Sequence, residues 1–193
     1  MEETGKILES LGHAVELAHP AVLDEPKTGT IFARIWPVRL LYALESFERK
    51  LGKKAGDGEL DPDTQFWIKR GRTVSAAEYL VALEDMDGFS RTMAAWWKSG
   101  FDLLLTPVTG TLTPKLGALG MSVRASILWT PFTSHCNLTG QPALSVPMHW
   151  TREGLPVGVQ LVAGYAREDV LIRTAAQLEK AKPWAKRMPS VHA

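Results

Sequence analysis

Apolar residues recur along this chain with two different periods, and the changes from one to the other mark its elements. Ile7, Leu8 and Leu11 fall on one face of a helix near the N-terminus, with Gly12 as a stop beyond it. Val15 and Leu17 alternate with Glu16, so residues 13–18 predict a strand. After a loop rich in proline and charge, Ile31, Ile35, Leu40, Leu41, Leu44, Phe47 and Leu51 return to a helical period, with Pro37 placed to kink or divide that helix. Residues 52–60 form a turn-rich loop, and Asp61-Pro62 supplies an N-cap and a first-turn proline for a short helix to about Arg70. Ser75-Ala-Ala-Glu78 is a capping box, in which serine and glutamate satisfy each other's free N–H groups. It opens a helix to about Ser99, with Leu80, Leu83, Phe89, Met93 and Trp96 or Trp97 inward.

The second half is β-rich. Leu103-Leu-Leu-Thr106 lacks alternation, so residues 102–108 predict a buried strand, followed by a Pro/Gly loop over 110–120. Two further strands are expected at 143–150 and 157–163, joined by a hairpin-like connection at 151–156. Asn137-Leu-Thr-Gly140 before Gln141-Pro142 reads as a turn in which Gly140 takes positive φ and Pro142 fixes the entry to the next strand. Pro147 is expected to end that strand, because proline cannot donate to a ladder, and Gly158 to permit a close backbone approach. An amphipathic helix over 168–180 uses Val170, Leu171, Ala175 and Leu178, and a basic tail follows Pro183-Trp184. The reading is an α/β fold, a mixed β-sheet with packed helices in one domain over 1–193, mainly helical at 30–100 and sheet-forming at 101–180. A helix that opens almost at Met1 is what a chain beginning in mid-fold would show.

Composition narrows the function classes. With 193 residues, 45% hydrophobic and 22% charged, the chain is long and apolar enough for a sizeable core. A net charge of +1 favours neither nucleic acid nor an anionic membrane. No apolar run approaches the roughly 20 residues of a membrane span, and the N-terminus has no apolar signal region. Together with a single cysteine, Cys136, this points to a cytoplasmic protein.

Most polar clusters read as structure. Asp57, Glu59, Asp61 and Asp63 alternate like a calcium loop, yet Pro62 and Ile68 stand where such a loop needs glycine and glutamate. Glu84, Asp85 and Asp87 read as an exposed helix face, and Trp96-Trp97 as core or interface, since helix neighbours diverge by about 100°. Lys50, Lys53 and Lys54 flank a glycine-rich turn without the order of a phosphate loop, and His19, His149 and His192 show no metal spacing. Cys136 lies between His135 and Asn137, but neighbours on an extended turn point apart, which leaves His135 poorly placed to act as its base.

On residue types alone, the stretch from Phe132 to Gly164 is a tight sheet edge, not a catalyst. Its order is more telling. Thr130-Pro-Phe132, Asn137-Leu-Thr-Gly-Gln-Pro142, Leu144-Ser-Val-Pro147 and Gly154-Leu-Pro-Val-Gly-Val-Gln-Leu161 closely resemble the C-terminal part of amidase-signature hydrolases. Leu103-Leu-Leu-Thr-Pro107, Ser75-Ala-Ala-Glu-Tyr79 and Glu9-Ser-Leu-Gly-His13 are similar to that family's upstream elements. The resemblance implies hydrolysis of the carbon–nitrogen bond of a linear or cyclic amide, a small-molecule substrate, through an acyl-enzyme. Family members hold a lysine and a Gly-Ser-Ser-Gly-Gly-like segment N-terminal to everything seen here, for nucleophile, proton relay and oxyanion hole.

These 193 residues contain no Ser-Ser pair and no Gly-Gly pair. No catalytic residue, metal ligand or organic cofactor is therefore assigned. The resemblance implies that Trp129, Thr130, Phe132, Cys136 and Asn137 line the acyl or leaving-group pocket. The expectation is the C-terminal portion of an amidase, inactive alone for want of its N-terminal catalytic half. One half of a split amidase and a non-catalytic binding or assembly module are the alternatives. Apolar surface left by the absent half would be hidden in a homo-oligomer.

Overall fold

Three antiparallel strands, β1 (Leu103–Pro107), β2 (Ala143–Trp150) and β3 (Pro156–Ala163), form the sheet of the computed structural model, which describes residues 1–56, 58–118 and 129–188. Their order is β1-β3-β2, so the last strand in sequence is the central one. Leu161 pairs with Leu105 on one side and Leu144 on the other, and this register sorts side chains between two faces. Leu103, Leu105, Leu144, Val146, Met148, Val159, Leu161 and Ala163 share one face and pack with Leu8, Leu171 and Leu178. Those three residues come from α1 (Glu2–Ser10) and α6 (Glu168–Ala181), which cover that face. The opposite face carries Thr106, Gln160, Gly158 and Ser145, and a Cβ on Gly158 would stand only 2.8 Å from Ser145 Oγ.

The α/β class with helices packed on a sheet is what the structure has, and both described pairings are antiparallel. β1 is an edge strand, with Leu104 buried and its neighbours half-buried. Pro147 does not end β2. The strand continues to Trp150 through a register shift between Pro147 and His149. Proline is tolerated there because, among the described residues, β2 is also an edge that bonds only β3.

The helical part is built on α2 (Lys27–Leu51), a single 25-residue helix that keeps Pro37 inside it. Pro37 is buried where α3 (Pro62–Gly71) crosses, so packing compensates the ladder bond that proline cannot donate. Asp61 accepts from the Thr64 backbone N–H at 2.9 Å and starts α3. The Ser75–Glu78 capping box is present in full and starts α4 (Ala76–Trp97). Ile31, Ile35, Ala82, Phe89 and Met93 form a second core, which Leu138 joins from α5 (Ser134–Thr139).

Several expectations are corrected. Residues 13–18 make no strand: three alternating residues find no strand to pair with among the described residues, Leu17 is fully exposed, and His13 instead meets Gln177 at 2.8 Å. Leu80, Phe47 and Leu51 face outward at 60%, 62% and 76% exposure. A helical period marks an apolar stripe but not whether the same chain covers it. Among the described residues no helix is long and apolar enough to cross a membrane.

Candidate functional site

Residues 129–140 carry all five candidates, and the local chain folds as a turn into a helix. Thr133 donates its N–H to the Thr130 carbonyl at 3.4 Å and is the N-cap of α5. The Asn137 N–H reaches back to the Thr133 carbonyl at 3.5 Å, and its side-chain amide reaches the same oxygen at 3.3 Å. Gly140 has φ of 71°, as expected, but it closes a helix: its N–H donates to the Cys136 carbonyl at 2.9 Å. The stretch read as an extended turn is therefore one and a half helical turns.

His135 and Cys136 are helix neighbours, about 100° apart around the axis. His135 is 2% exposed, its Nε2 meets no hydrogen-bond partner among the described residues, and burial pushes its pKa down to about 4. Burial pushes the half-buried Cys136 thiol up to about 11. At neutral pH the pair is an uncharged imidazole beside a protonated thiol, the reverse of an activated nucleophile.

The candidates are not all brought together. Phe132, Cys136 and Asn137 belong to one continuous turn and helix, with Thr130 at its start; Thr130 and Asn137 are exposed, and Phe132 is half-buried. Trp129 instead lines a separate cleft of about 180 Å³ with Val108, Ser145, Leu155, Val157 and Gly158. None of the other four lines it. A wider groove of about 930 Å³ between the ends of α2 and α3 is lined by Leu44, Phe66 and Ile68 and holds none of the five.

One residue at this site escaped the sequence reading. Gln160, on the central strand, is 5% exposed and donates from Nε2 to the Phe132 carbonyl at 2.7 Å and to Thr106 Oγ1 at 3.1 Å. The available signal was a lone polar residue inside the apolar run Val-Gly-Val-Gln-Leu-Val-Ala.

The other clusters are occupied by structure. Asp57 and His192 lie outside the described residues, as does the end of the 110–120 loop. Glu59 accepts from Lys53 Nζ at 2.6 Å and from the Gly56 N–H at 2.7 Å, and the Lys53 hydrogen bond holds its carboxyl below the ordinary value. Asp85 pairs with Lys27 at 2.7 Å. Trp96 stacks on Phe101 with ring centroids 4.3 Å apart, and Trp97 packs beside Gly164. Among the described residues no three His, Cys, Asp or Glu side chains converge as a metal site would require.

A family model described as Amidase matches residues 1–172. The chain is 30% identical over 196 residues to a 6-aminohexanoate-cyclic-dimer hydrolase of Paenarthrobacter ureafaciens, covering 95% of this chain and 40% of that protein. It is 31% identical over 191 residues to the putative amidase AmiC of Mycobacterium tuberculosis (strain ATCC 25618 / H37Rv), covering 93% of this chain and 38% of the relative. A solved structure of 6-aminohexanoate cyclic dimer hydrolase superposes with a TM-score of 0.89 at 29% identity, over 98% of this chain and 42% of the other. The chain thus spans about 40% of the length of the curated relatives it matches.

Proposed function

The chain belongs to the amidase family, and from that premise we propose that it is the C-terminal portion of an amide hydrolase, supplying pocket wall and scaffold but not the bond-breaking groups. The observation that carries this reading is a mismatch. At least 93% of the chain aligns with relatives of which it covers only 38–40%, and its 193 residues hold neither a Ser-Ser nor a Gly-Gly pair. The states of Cys136 and His135 speak against a substitute nucleophile and base.

In this reading residues 130–137 form part of the wall around a carboxamide, with Phe132, Cys136 and Asn137 contributing shape and orientation. Trp129 would contribute from the separate cleft that it lines. The substrate class is a small linear or cyclic amide, and the likeness to a cyclic-dimer hydrolase favours a cyclic one. Nucleophile, base and oxyanion donors would come from a segment or partner chain that completes the fold. Trp36, Tyr42, Phe47 and Leu51 on α2 are exposed apolar side chains, and among the described residues β1 and β2 each bond a single neighbour, so these are surfaces for that segment or for a second copy of this chain.

The test mixes the purified chain with a polypeptide carrying the family's lysine and serine segment. Release of amine from the 6-aminohexanoate cyclic dimer is then assayed for each part and for the mixture. Activity confined to the mixture supports the reading; activity of the chain alone overturns it.

A further inference from the structure

Gln160 sits where a polar side chain is hardest to place, on the central strand with Val159, Leu161 and Val162 buried around it. The orientation of its amide is fixed by its partners. The Phe132 carbonyl can only accept, and Thr106 Oγ1 already donates to the Pro107 carbonyl at 2.9 Å, so both must face Nε2 and not Oε1. Phe132 immediately precedes the N-cap of α5, and the first carbonyl to accept from that helix is Thr133. The Phe132 carbonyl therefore has no role in the helix ladder, and Gln160 supplies its partner across 28 residues of chain.

We propose that Gln160 is a positioning residue: by holding the Phe132 carbonyl it fixes the 132–137 segment against the sheet and sets where Phe132, Cys136 and Asn137 stand. Its place in a pocket rests on the reading above that this segment is pocket wall. Thr106 Oγ1 accepts from the same Nε2 and steadies the amide, and the Phe132 bond carries the positioning.

Cys136 is the chain's only cysteine, so its alkylation rate reports on the segment directly. In the intact chain, under conditions where every variant is folded, Gln160→Met is expected to raise the Cys136 alkylation rate at least tenfold. Thr106→Val, which leaves the Phe132 bond in place, should stay within twofold, as should Leu171→Ala, which weakens the opposite face of the sheet. A Gln160→Met rate no higher than that of Leu171→Ala overturns the proposal. Should Gln160→Met not fold, Gln160→Asn, which keeps the amide but is too short to reach Phe132, is read the same way. In the wild-type chain the Gln160 side-chain NH2 protons must exchange slowly; fast exchange overturns the proposal whatever the variants do. No ligand enters these measurements, so they are separate from the pocket reading. That reading predicts protection of Cys136 by the 6-aminohexanoate cyclic dimer in the reconstituted mixture, and absence of protection overturns the pocket role of Gln160 even if Gln160→Met frees the thiol.

Discussion

Gly71 lies so close to Pro37 that a Cβ added to it would stand 2.4 Å from the Pro37 carbonyl oxygen and 2.8 Å from its carbonyl carbon. The obstacle is backbone, not the end of a flexible side chain, so α3 would have to move off α2. Gly71→Ala is expected to destabilise the chain by about 1–3 kcal/mol, the scale of overpacking a filled interface. This outweighs the smaller helix-propensity gain of alanine at the last residue of α3. Denaturant unfolding measures it, and an unchanged midpoint would mean the crossing is looser than described.

Leu161 is fully buried between Leu105 and Leu144 on the face covered by α1 and α6. Leu161→Ala should cost about 2–5 kcal/mol, because the rigid sheet collapses poorly around the lost volume. The same unfolding experiment reads it. A cost below 1 kcal/mol would contradict a close-packed sheet core.

Ser75 accepts from the Glu78 backbone N–H at 3.2 Å while Glu78 accepts from the Ser75 N–H at 2.9 Å. Ser75→Ala should therefore lower stability by about 1 kcal/mol. Helical circular dichroism followed through unfolding checks it.

Elements written in local chemistry are legible in the sequence: the capping box, the Asp61 cap, and the β-rich run of β2, though not its passage through Pro147. What stayed hidden depended on partners. Pro147 looked like a strand end, but its missing N–H matters only where a strand has a second neighbour, and among the described residues β2 bonds β3 alone. Val15 and Leu17 alternated like a strand but have no strand beside them among the described residues. Asn137 and Gly140 looked like a turn because glycine with positive φ serves a turn and a helix end alike. Gln160 could be seen as an odd polar residue, but its partner Phe132 is distant in sequence and only the folded chain names it.

The buried His135 and the half-buried Cys136 of α5 make opposite predictions for pH. Burial lowers the His135 pKa from 6.5 to about 4, so the unfolded chain binds its proton first. Stability should be complete above pH 6.5 and fall as pH drops toward 4. Burial raises the Cys136 thiol from 9.0 to about 11, so the unfolded chain loses that proton first. That contribution is complete below pH 9 and falls as pH rises toward 11. Urea midpoints across pH should show both declines, with His135→Leu flattening only the acidic one and Cys136→Ala only the alkaline one.

The central claim is that this polypeptide forms the wall of an amidase pocket while the reacting groups lie elsewhere. It is tested most directly by offering a carboxamide to the pure chain, alone and with the lysine- and serine-bearing segment, while measuring amine release and locating any acyl adduct by mass spectrometry. The account predicts no turnover and no adduct for the chain alone, and turnover on mixing with the acyl group on a serine of the added segment. Amine release by the unaccompanied chain, with an acyl group on one of its own side chains, would contradict it.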